Sequence, residues 1–396
     1  MNLVRNVMAN IAISQFSCCT PHFASLNALF NAWLDGDSYA PPYATYPDET
    51  QLFSQLVHGA VAPVLATLKS PADCGLILAT AKGDLGWLET WLDQAGEGRP
   101  PGHFASSPPL ITDCAHAIAR QYGLGGPILA VSTACTSGLS GLMEAALMVE
   151  SGAERRMIVL AVDIAGEFIV DGFRALKALC ARRSRPFDLQ RDGLALGSAA
   201  VACLVHQTDM HAGAPKSREG ITTVPAFAPD CYLVGWGGAT DAVHLTAPDR
   251  EAGGLIRAVE MALRKASLAP DEIDGIFLHG TGTLYNDAME VCAVKKLFPN
   301  NPPLTAVKGL VGHTLGASGL LEAALASLML RHDVLPAVTG LREPQWPDLH
   351  FVSQMRRGTK LRRILKTSSG FGGINGAVIL EAIRSGVAGG GNDHAG

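Results

Sequence analysis

An eight-residue stretch that occurs twice decides the fold: residues 140–147 read SGLMEAAL and residues 318–325 read SGLLEAAL. The two copies differ at one position and lie 178 positions apart (318 − 140). A second pair, AAVACLV at 199–205 and GAVILEA at 376–382, repeats at nearly the same offset, 177 (376 − 199). Two separated matches at one offset indicate a duplicated chain. We therefore predict two similar halves related by a pseudo-two-fold axis.

Apolar strand-like runs alternate with helical patterns around these repeats, which predicts layers of α and β structure. The predicted strands are 74–80, 128–132, 157–162, 273–279 and 364–367, and the predicted helices are 112–122, 137–150, 251–266, 286–297 and 317–331. The polar, turn-rich stretch 206–220 (HQTDMHAGAPKSREG) marks the boundary between the halves. We predict an N-terminal half at 1–210, a C-terminal half at 211–385 and a flexible tail at 386–396.

The composition excludes several classes of protein. Of 396 residues, 48% are hydrophobic and 17% are charged, which excludes a disordered chain or a coiled coil. So few charges also indicate that part of the surface is covered in an oligomer. The net charge of −5 gives no electrostatic basis for binding nucleic acid.

The cysteine spacing and the apolar runs of the sequence indicate the cellular compartment that we expect for the chain. Nine cysteines without regular spacing do not form a disulfide framework, and no CxxC pair suggests a zinc site. The N-terminal apolar run is interrupted by Asn6, Asn10 and Ser14, unlike a signal peptide, and no apolar run is long enough to cross a bilayer. We therefore expect a cytoplasmic protein.

Cys135 is the candidate nucleophile. It lies in VSTACTSG, between a predicted strand and a predicted helix, where a tight turn exposes a side chain and the helix N-terminus favours a thiolate. Adding the repeat offset of 178 to 135 gives His313, so the equivalent helices of the two halves begin beside a cysteine and a histidine. Near the pseudo-two-fold axis, these two ends would place a thiol opposite an imidazole.

Three further candidate residues accompany this pair: His279, Lys308 and Glu290. His279 ends the strand IFLH and is followed by the GTGT turn, and His313 lies in KGLVGHTLGASG. Imidazoles at strand ends can donate a hydrogen bond to a carbonyl and can exchange a proton. Lys308 ends LTAVK, five positions before His313, and Glu290 lies on the helix after the GTGT turn, where we predict that the two form a pair.

A glycine-rich stretch, SSGFGGINGAVIL at 368–380, carries Gly370, Gly372 and Gly373 before an apolar strand-like run. It does not match a dinucleotide fingerprint, because the glycines come before a strand instead of opening a helix. GHTLGASG likewise lacks the GKS or GKT ending of a phosphate-binding loop. A glycine-rich loop does allow backbone N–H groups to approach an oxyanion closely, and we predict that role here.

The set of motifs resembles the β-ketoacyl-acyl-carrier-protein synthases, the decarboxylating condensing enzymes of the thiolase fold, over nearly the whole chain. The resemblance rests on TACTSG, HGTGTLYNDAME, AVKGLVGHTLGASG, GFGG and RPFDLQRDGLALG. It implies a duplicated α-β-α-β-α layered fold. Ser198 and Ser369 depart from the family pattern, and ANIAISQFSCCTP replaces a glycine-rich opening strand. These departures suggest specialised chain building, of aryl-polyene or polyketide type, instead of housekeeping fatty-acid synthesis.

The resemblance also implies an activity and its residues. Cys135 would accept an acyl group and then condense it with malonyl-acyl-carrier-protein to give 3-oxoacyl-acyl-carrier-protein. The implied catalytic residues are Cys135, His279, His313, Lys308 and Glu290; the oxyanion hole and gate are Cys135 and Phe371; the substrate-binding residues are Thr281, Thr283, Phe173 and Gly372. No metal or free cofactor is implied, because the substrates travel on the phosphopantetheine arm of the carrier protein.

The implied partners are an acyl carrier protein and a second subunit, either a copy of this chain or a related ketosynthase-like protein. A basic docking patch would be formed by one of two arginine clusters: Arg182, Arg183 and Arg185, or Arg356, Arg357, Arg362 and Arg363. Two alternatives remain open, a catalytically silent partner of chain-length-factor type and a coenzyme A-dependent thiolase. The presence of Cys135, His279 and His313 favours an active enzyme.

Overall fold

The computed structural model describes residues 10–36, 49–97, 110–208 and 228–383. The predicted boundary at 210/211 and the predicted tail at 386–396 lie outside these ranges. The strands are β1 Asn10–Cys19, β2 Gly75–Ala79, β3 Ile128–Val131, β4 Arg156–Asp163, β5 Ala199–Thr208, β6 Cys231–Thr240, β7 Gly275–Phe277, β8 Leu304–Thr305, β9 Val334–Leu335, β10 Arg356–Arg357, β11 Arg363–Gly370 and β12 Ile374–Glu381.

Ten helices accompany these strands in the described ranges. They are α1 Leu26–Leu34, α2 Glu49–Leu65, α3 Leu85–Gly96, α4 Ile111–Tyr122, α5 Ser137–Glu150, α6 Glu167–Ala175, α7 Gly253–Ala266, α8 Leu284–Leu297, α9 Lys308–Val311 and α10 Ser318–His332. The five strands and five helices predicted from the sequence are all present, with ends shifted by at most three residues. The prediction missed β1, β6, the helices α1, α2, α3 and α6, and the shortest elements. Length does not explain all of these, since α2 has 17 residues and α3 has 12.

The strand order shows the duplication directly. Ten of the twelve strands form one sheet in the order β3-β2-β4-β5-β1-β6-β12-β11-β7-β8, and β9 and β10 form a separate two-stranded sheet. Starting from the β1–β6 pair, where Ile11 is opposite Leu233, each half runs outward through an antiparallel pair and then through parallel strands. The repeated apolar segments lie in β5 and β12, at matching places in the two halves. The predicted pseudo-symmetric thiolase-like α/β architecture is confirmed.

Alternate residues of the strands face two different layers. In β5, Val201 and Cys203 pack towards the central helices, whereas Ala202 and Leu204 pack towards α2 and α4. In the second half, Ala377 and Ile379 on the outer face of β12 belong to the same hydrophobic cluster as α7 and α8. This alternation follows from the two-residue period of a strand whose faces are both covered.

The two repeat helices, α5 and α10, pack against each other in the central layer. A Cβ atom on Gly138 would lie 2.9 Å from the Gly316 oxygen, and one on Gly319 would lie 3.0 Å from the Leu139 nitrogen. These glycines therefore let the helix starts approach more closely than any other residue would allow. Because both helices begin at this contact, the residues just before them meet.

One difference from the sequence prediction concerns the predicted inter-domain turn. The stretch predicted as an inter-domain turn at 206–220 begins inside β5, where buried His206 lies 2.8 Å from the Ser14 hydroxyl. That hydrogen bond satisfies the imidazole within the sheet and lets the strand continue. No helix of the described ranges is long and apolar enough to cross a membrane.

Candidate active site

Cys135 lies on a strained turn held by hydroxyl groups. Ala134, just before it, has φ +51°, an unfavourable angle for a residue with a side chain. The Ser137 hydroxyl donates to the Ala134 carbonyl at 2.6 Å and accepts from the Thr133 N–H at 3.0 Å, and the Thr136 hydroxyl donates to the Thr133 carbonyl at 2.6 Å. The predicted nucleophile turn is present, and side-chain bonds compensate its strain.

The resting thiol is uncharged, which corrects the expectation of a thiolate. Burial raises the pKa of Cys135 to about 11, against the lowering influence of the Lys308 charge and of the backbone N–H groups of Phe371 and Cys135. Only 7% of the residue is exposed. The loss of hydration has a larger effect on the pKa than the helix N-terminus, because removing a thiolate from water destabilises it by more than the helix dipole stabilises it.

The glycine-rich turn Gly370–Gly373 closes over the thiol. A Cβ atom on Gly370 would be 3.2 Å from the Cys135 nitrogen, and Gly372 and Gly373 have φ +83° and +70°. The Phe371 ring stacks on Phe173, with centroids 5.7 Å apart and an interplanar angle of 24°. The turn thus carries both a backbone donor near the sulfur and an aromatic side chain at the cavity.

Both histidines are buried and meet edge to face. The ring centroids of His279 and His313 are 5.1 Å apart with an interplanar angle of 87°. The His313 N–H donates to the Ala195 carbonyl at 2.7 Å, and the Gly197 N–H donates to the His313 carbonyl at 3.0 Å. Residues of the N-terminal half therefore hold the backbone of His313 in place. A Cβ atom on Gly197 would be 2.1 Å from the Val311 oxygen, so this contact requires glycine.

The hydrogen bonds at Nδ1 set the tautomers of both rings. Lys308 Nζ lies 3.1 Å from His279 Nδ1, and an ammonium can only donate. Ser318 Oγ lies 2.9 Å from His313 Nδ1 and 3.1 Å from the Thr314 hydroxyl. Thr314 can supply its proton to Ser318, which leaves the Ser318 proton for the imidazole. In both rings the proton is then carried by Nε2.

Both imidazoles are neutral at physiological pH. The pKa of His279 and the pKa of His313 both lie well below the ordinary value of an imidazole. Burial is the main cause, and the positive charge of Lys308 is the next. A neutral ring with its proton on Nε2 is a hydrogen-bond donor without a positive charge, so it needs no acidic partner. Such a donor suits an oxygen that gains negative charge during a reaction.

Lys308 pairs with Glu322, and the predicted pairing with Glu290 was wrong. The Lys308 ammonium donates to Glu322 Oε1, to the His279 carbonyl and to His279 Nδ1. Glu290 instead accepts from the backbone N–H groups of His279 and Gly280, both at 2.7 Å. The sequence signal for Glu322 was available, since it is the one charged residue of the apolar repeat SGLLEAAL.

Cys135 and the two histidines line one cavity of about 350 Å³. This volume is within the usual range for small-molecule sites. Four other predicted residues also line it: Thr281, Thr283, Phe173 and Phe371. Gly372 is not among the lining residues, and its N–H donates to the Leu245 carbonyl at 2.7 Å. The described residues contain no cluster of three or more histidine, cysteine or acidic side chains that could hold a metal ion.

Comparison with known proteins gives two family matches. The model of the β-ketoacyl synthase N-terminal domain matches residues 60–211, and that of the C-terminal domain matches residues 231–342. The 3-oxoacyl-(acyl-carrier-protein) synthase 2 of Coxiella burnetii is 33% identical over 322 residues, which are 78% of this chain and 75% of the relative. This chain belongs to the β-ketoacyl synthase family.

Other relatives come from polyketide pathways. The actinorhodin polyketide putative β-ketoacyl synthase 1 of Streptomyces coelicolor is 33% identical over 286 residues, 68% of this chain and 58% of the relative. A solved ketosynthase in complex with its chain length factor, from Xenorhabdus doucetiae, has a TM-score of 0.76 at 24% identity and covers 96% of this chain and 100% of its own. That structure shows the shared fold. As a β-ketoacyl synthase, the chain is a condensing enzyme of the acyltransferase class.

The two serine departures have structural explanations in this β-ketoacyl synthase. Ser198 is buried, and its hydroxyl accepts a hydrogen bond from the Ala165 N–H at 2.9 Å. The Ser369 hydroxyl donates to the Asn375 side-chain oxygen at 2.7 Å, and both residues line the cavity. Ser369 therefore leaves room and a polar surface beside the glycine-rich turn.

The raised pKa of the Cys135 thiol predicts the pH dependence of its alkylation. Only the thiolate reacts with iodoacetamide, so below a pKa of about 11 the rate at Cys135 should rise about tenfold per pH unit between pH 7 and 10. Peptide mass spectrometry after short exposures measures this rate at the single site. A plateau between pH 8 and 9 would show that the thiol is not shielded as described.

Proposed function

We propose that this chain condenses an acyl group, held as a thioester on Cys135, with malonyl-acyl-carrier-protein to give 3-oxoacyl-acyl-carrier-protein and carbon dioxide. The observation that carries the proposal is one cavity in which a buried thiol shares the walls with two neutral imidazoles. The C. burnetii relative bears the name of this activity. Each residue role below belongs to the proposal.

Acyl transfer is the first step. The Cys135 sulfur attacks the carbonyl carbon of the acyl thioester while the thiol proton passes to the departing pantetheine sulfur, so that one C–S bond forms and one breaks. The backbone N–H groups of Cys135 and Phe371 stabilise the oxyanion, because both lie close enough to influence the sulfur. The neutral resting thiol fits this step, since no buried thiolate has to be maintained between turnovers.

Decarboxylation follows on the histidine side of the cavity. The Nε2–H groups of His279 and His313 donate to the thioester oxygen of the malonyl group. The electron pair of the breaking carbon–carboxylate bond then moves into an enolate that these two donors stabilise. The enolate carbon attacks the acyl-Cys135 carbonyl, the C–S bond breaks, and the sulfur recovers a proton from solvent.

The cavity entrance fits a phosphopantetheine arm. The hydroxyls of Thr281 and Thr283 lie 2.9 Å apart on one wall and present donors and acceptors to the amides of such an arm. Phe371 and Phe173 form a stacked pair on another wall, and we propose that Phe371 moves as the gate to the acyl chain. No free cofactor is needed for any of these steps.

Two surfaces fit the proposed partners. Burial and then the positive charges of Arg342 and Arg185 lower the pKa of Arg183. These three arginines therefore lie close together and form one patch for an acidic carrier protein. In the other predicted cluster, Arg363 already pairs with Glu272 and Glu381, so we favour the first.

β3 fits a subunit interface. It is one of the two edge strands of the ten-stranded sheet, and its apolar residues Ile128–Val131 are partly exposed. An apolar edge invites pairing with another chain. We propose that a second subunit covers it, either a copy of this chain or a chain-length-factor-like partner such as the one named in the X. doucetiae complex.

Release of labelled carbon dioxide from carboxyl-labelled malonyl-carrier protein tests the proposed function. The purified chain should release it and form a 3-oxoacyl-carrier product when an acyl-carrier protein is supplied, and malonyl-coenzyme A should be a poorer donor. Release only after a chain-length-factor-like subunit is added would assign the chain to an obligate heterodimer. No release under either condition, with the protein folded, would contradict the proposal.

A further inference from the structure

Lys366 is a buried cation for which the condensation steps above have no use. It lies in the middle of β11, has no solvent exposure, and is flanked in the strand by buried residues. Its ammonium is 2.6 Å from Glu322 Oε2, donates to the Thr367 carbonyl and lies 3.5 Å from the Phe277 carbonyl. Burying an ammonium group destabilises a protein unless oxygen atoms surround it, and Lys366 has three such partners.

Glu322 joins this ammonium to the histidines. Its Oε1 contacts Lys308 Nζ and its Oε2 contacts Lys366 Nζ, so one carboxylate lies between two lysines. Among the described residues, Oε2 has no hydrogen bond that would replace the contact with Lys366. Lys308 in turn donates to His279 Nδ1. The chain of contacts therefore runs from Lys366 through Glu322 and Lys308 to one imidazole of the cavity.

We propose that Lys366 is a positioning residue whose ammonium holds Glu322 in the orientation from which Glu322 keeps Lys308 against His279. Without Lys366, both oxygens of Glu322 are free to turn towards Lys308. The ammonium would then be drawn away from His279 Nδ1, and the proton on Nε2 would lose its fixed position. The residue touches neither substrate nor reacting atoms and acts through its neighbours.

This inference rests on the proposed function and concerns only its histidine side, which allows a selective test. In Lys366→Met, decarboxylation of malonyl-carrier protein should be about tenfold to a hundredfold slower, the cost of a small misplacement of a catalytic group. The rate at which Cys135 takes up an acyl group, measured by intact mass, should stay within about threefold of the wild-type rate, because that step uses backbone donors on the other side of the cavity. The KM for malonyl-carrier protein should not change.

A double variant separates positioning from folding. If Lys366 acts through Glu322, then Glu322→Gln/Lys366→Met should decarboxylate no more slowly than Glu322→Gln alone, and it should melt at a higher temperature because one of the two unpaired ammonium groups is gone. Lys265→Met is the matched control, since Lys265 forms an ion pair with Glu150 away from the cavity, and it should leave both partial reactions unchanged.

The outcomes are distinct. A wild-type protein without either partial reaction would refute the proposed function itself. A wild-type protein with both, together with a Lys366→Met variant that decarboxylates at the wild-type rate, would overturn the role of Lys366. A Lys366→Met variant in which acyl uptake and decarboxylation fall equally, in step with a lower melting temperature, would also overturn it, because Lys366 would then be structural. Additive losses in the double variant would likewise contradict action through Glu322.

Discussion

Replacing Cys135 by alanine should abolish acyl-enzyme formation and lower the condensation rate by about a thousandfold or more. The cavity contains this thiol together with the two imidazoles, and without it no group remains to hold the acyl chain between the two half-reactions. Intact-mass spectrometry after incubation with an acyl-carrier protein should show the mass of the acyl group on the wild-type chain. The same experiment on Cys135→Ala should show an unchanged mass.

Cys292→Ala is the control for this loss. Cys292 lies half-buried on α8 and is not among the residues that line the cavity. The control variant should acquire the acyl group as the wild-type chain does. An acyl mass that persists in Cys135→Ala and disappears in Cys292→Ala would move the nucleophile to a different part of the molecule and contradict the proposed mechanism.

Replacing Glu322 by glutamine should lower the free energy of unfolding by about 3–5 kcal/mol, the cost of removing one partner from a buried ion pair. The substitution leaves the ammonium groups of Lys308 and Lys366 without the carboxylate that lies between them. Urea denaturation followed by tryptophan fluorescence measures the change. Condensation should fall as well, because Lys308 contacts His279.

The repeat supplies a matched control. Glu144 occupies the same place in SGLMEAAL as Glu322 does in SGLLEAAL, but its side chain is exposed. Glu144→Gln should therefore change the free energy of unfolding by less than about 0.5 kcal/mol. Equal effects of the two substitutions would show that the buried cluster does not carry the stability described.

The loss caused by Glu322→Gln should also depend on pH. Burial lowers the pKa of Lys366, and Glu322 opposes that lowering, so the pKa should fall further in the variant. When a folded-state pKa lies below the unfolded value, the unfolded chain binds more protons in between, and stability rises with pH. The deficit relative to the wild type should therefore shrink as the pH is raised from 7 towards 10. A deficit that grows over this range would contradict the assignment.

The sequence predicted the elements and the chemical groups of the site well. Periodicity located the long helices such as α5 and α10, and the repeat offset paired Cys135 with His313 before any contact was known. The structure places both residues just before these helices and in one cavity. That success has a physical reason, because the two repeat helices pack against each other at their starts, where Gly138 and Gly319 allow a close approach.

The errors concern the surroundings of charged groups. Lys308 was predicted to pair with Glu290, yet Lys308 contacts Glu322, and Glu290 accepts hydrogen bonds from the backbone N–H groups of His279 and Gly280. The thiol was expected to ionise readily, yet burial raises the pKa of Cys135 to about 11. Both errors arose because the partners and the solvation of a side chain depend on residues that are far apart in the chain.

By itself, the sequence determined the twofold layered plan, the thiol at a helix start and the two imidazoles at strand ends, because hydrophobic period and turn chemistry are local properties. Only the tertiary structure decided which glutamate is buried. Glu144 and Glu322 have the same octapeptide context, and one faces solvent while the other lies between two lysines. The difference comes from what packs around each helix, and that is set by the assembly of both halves.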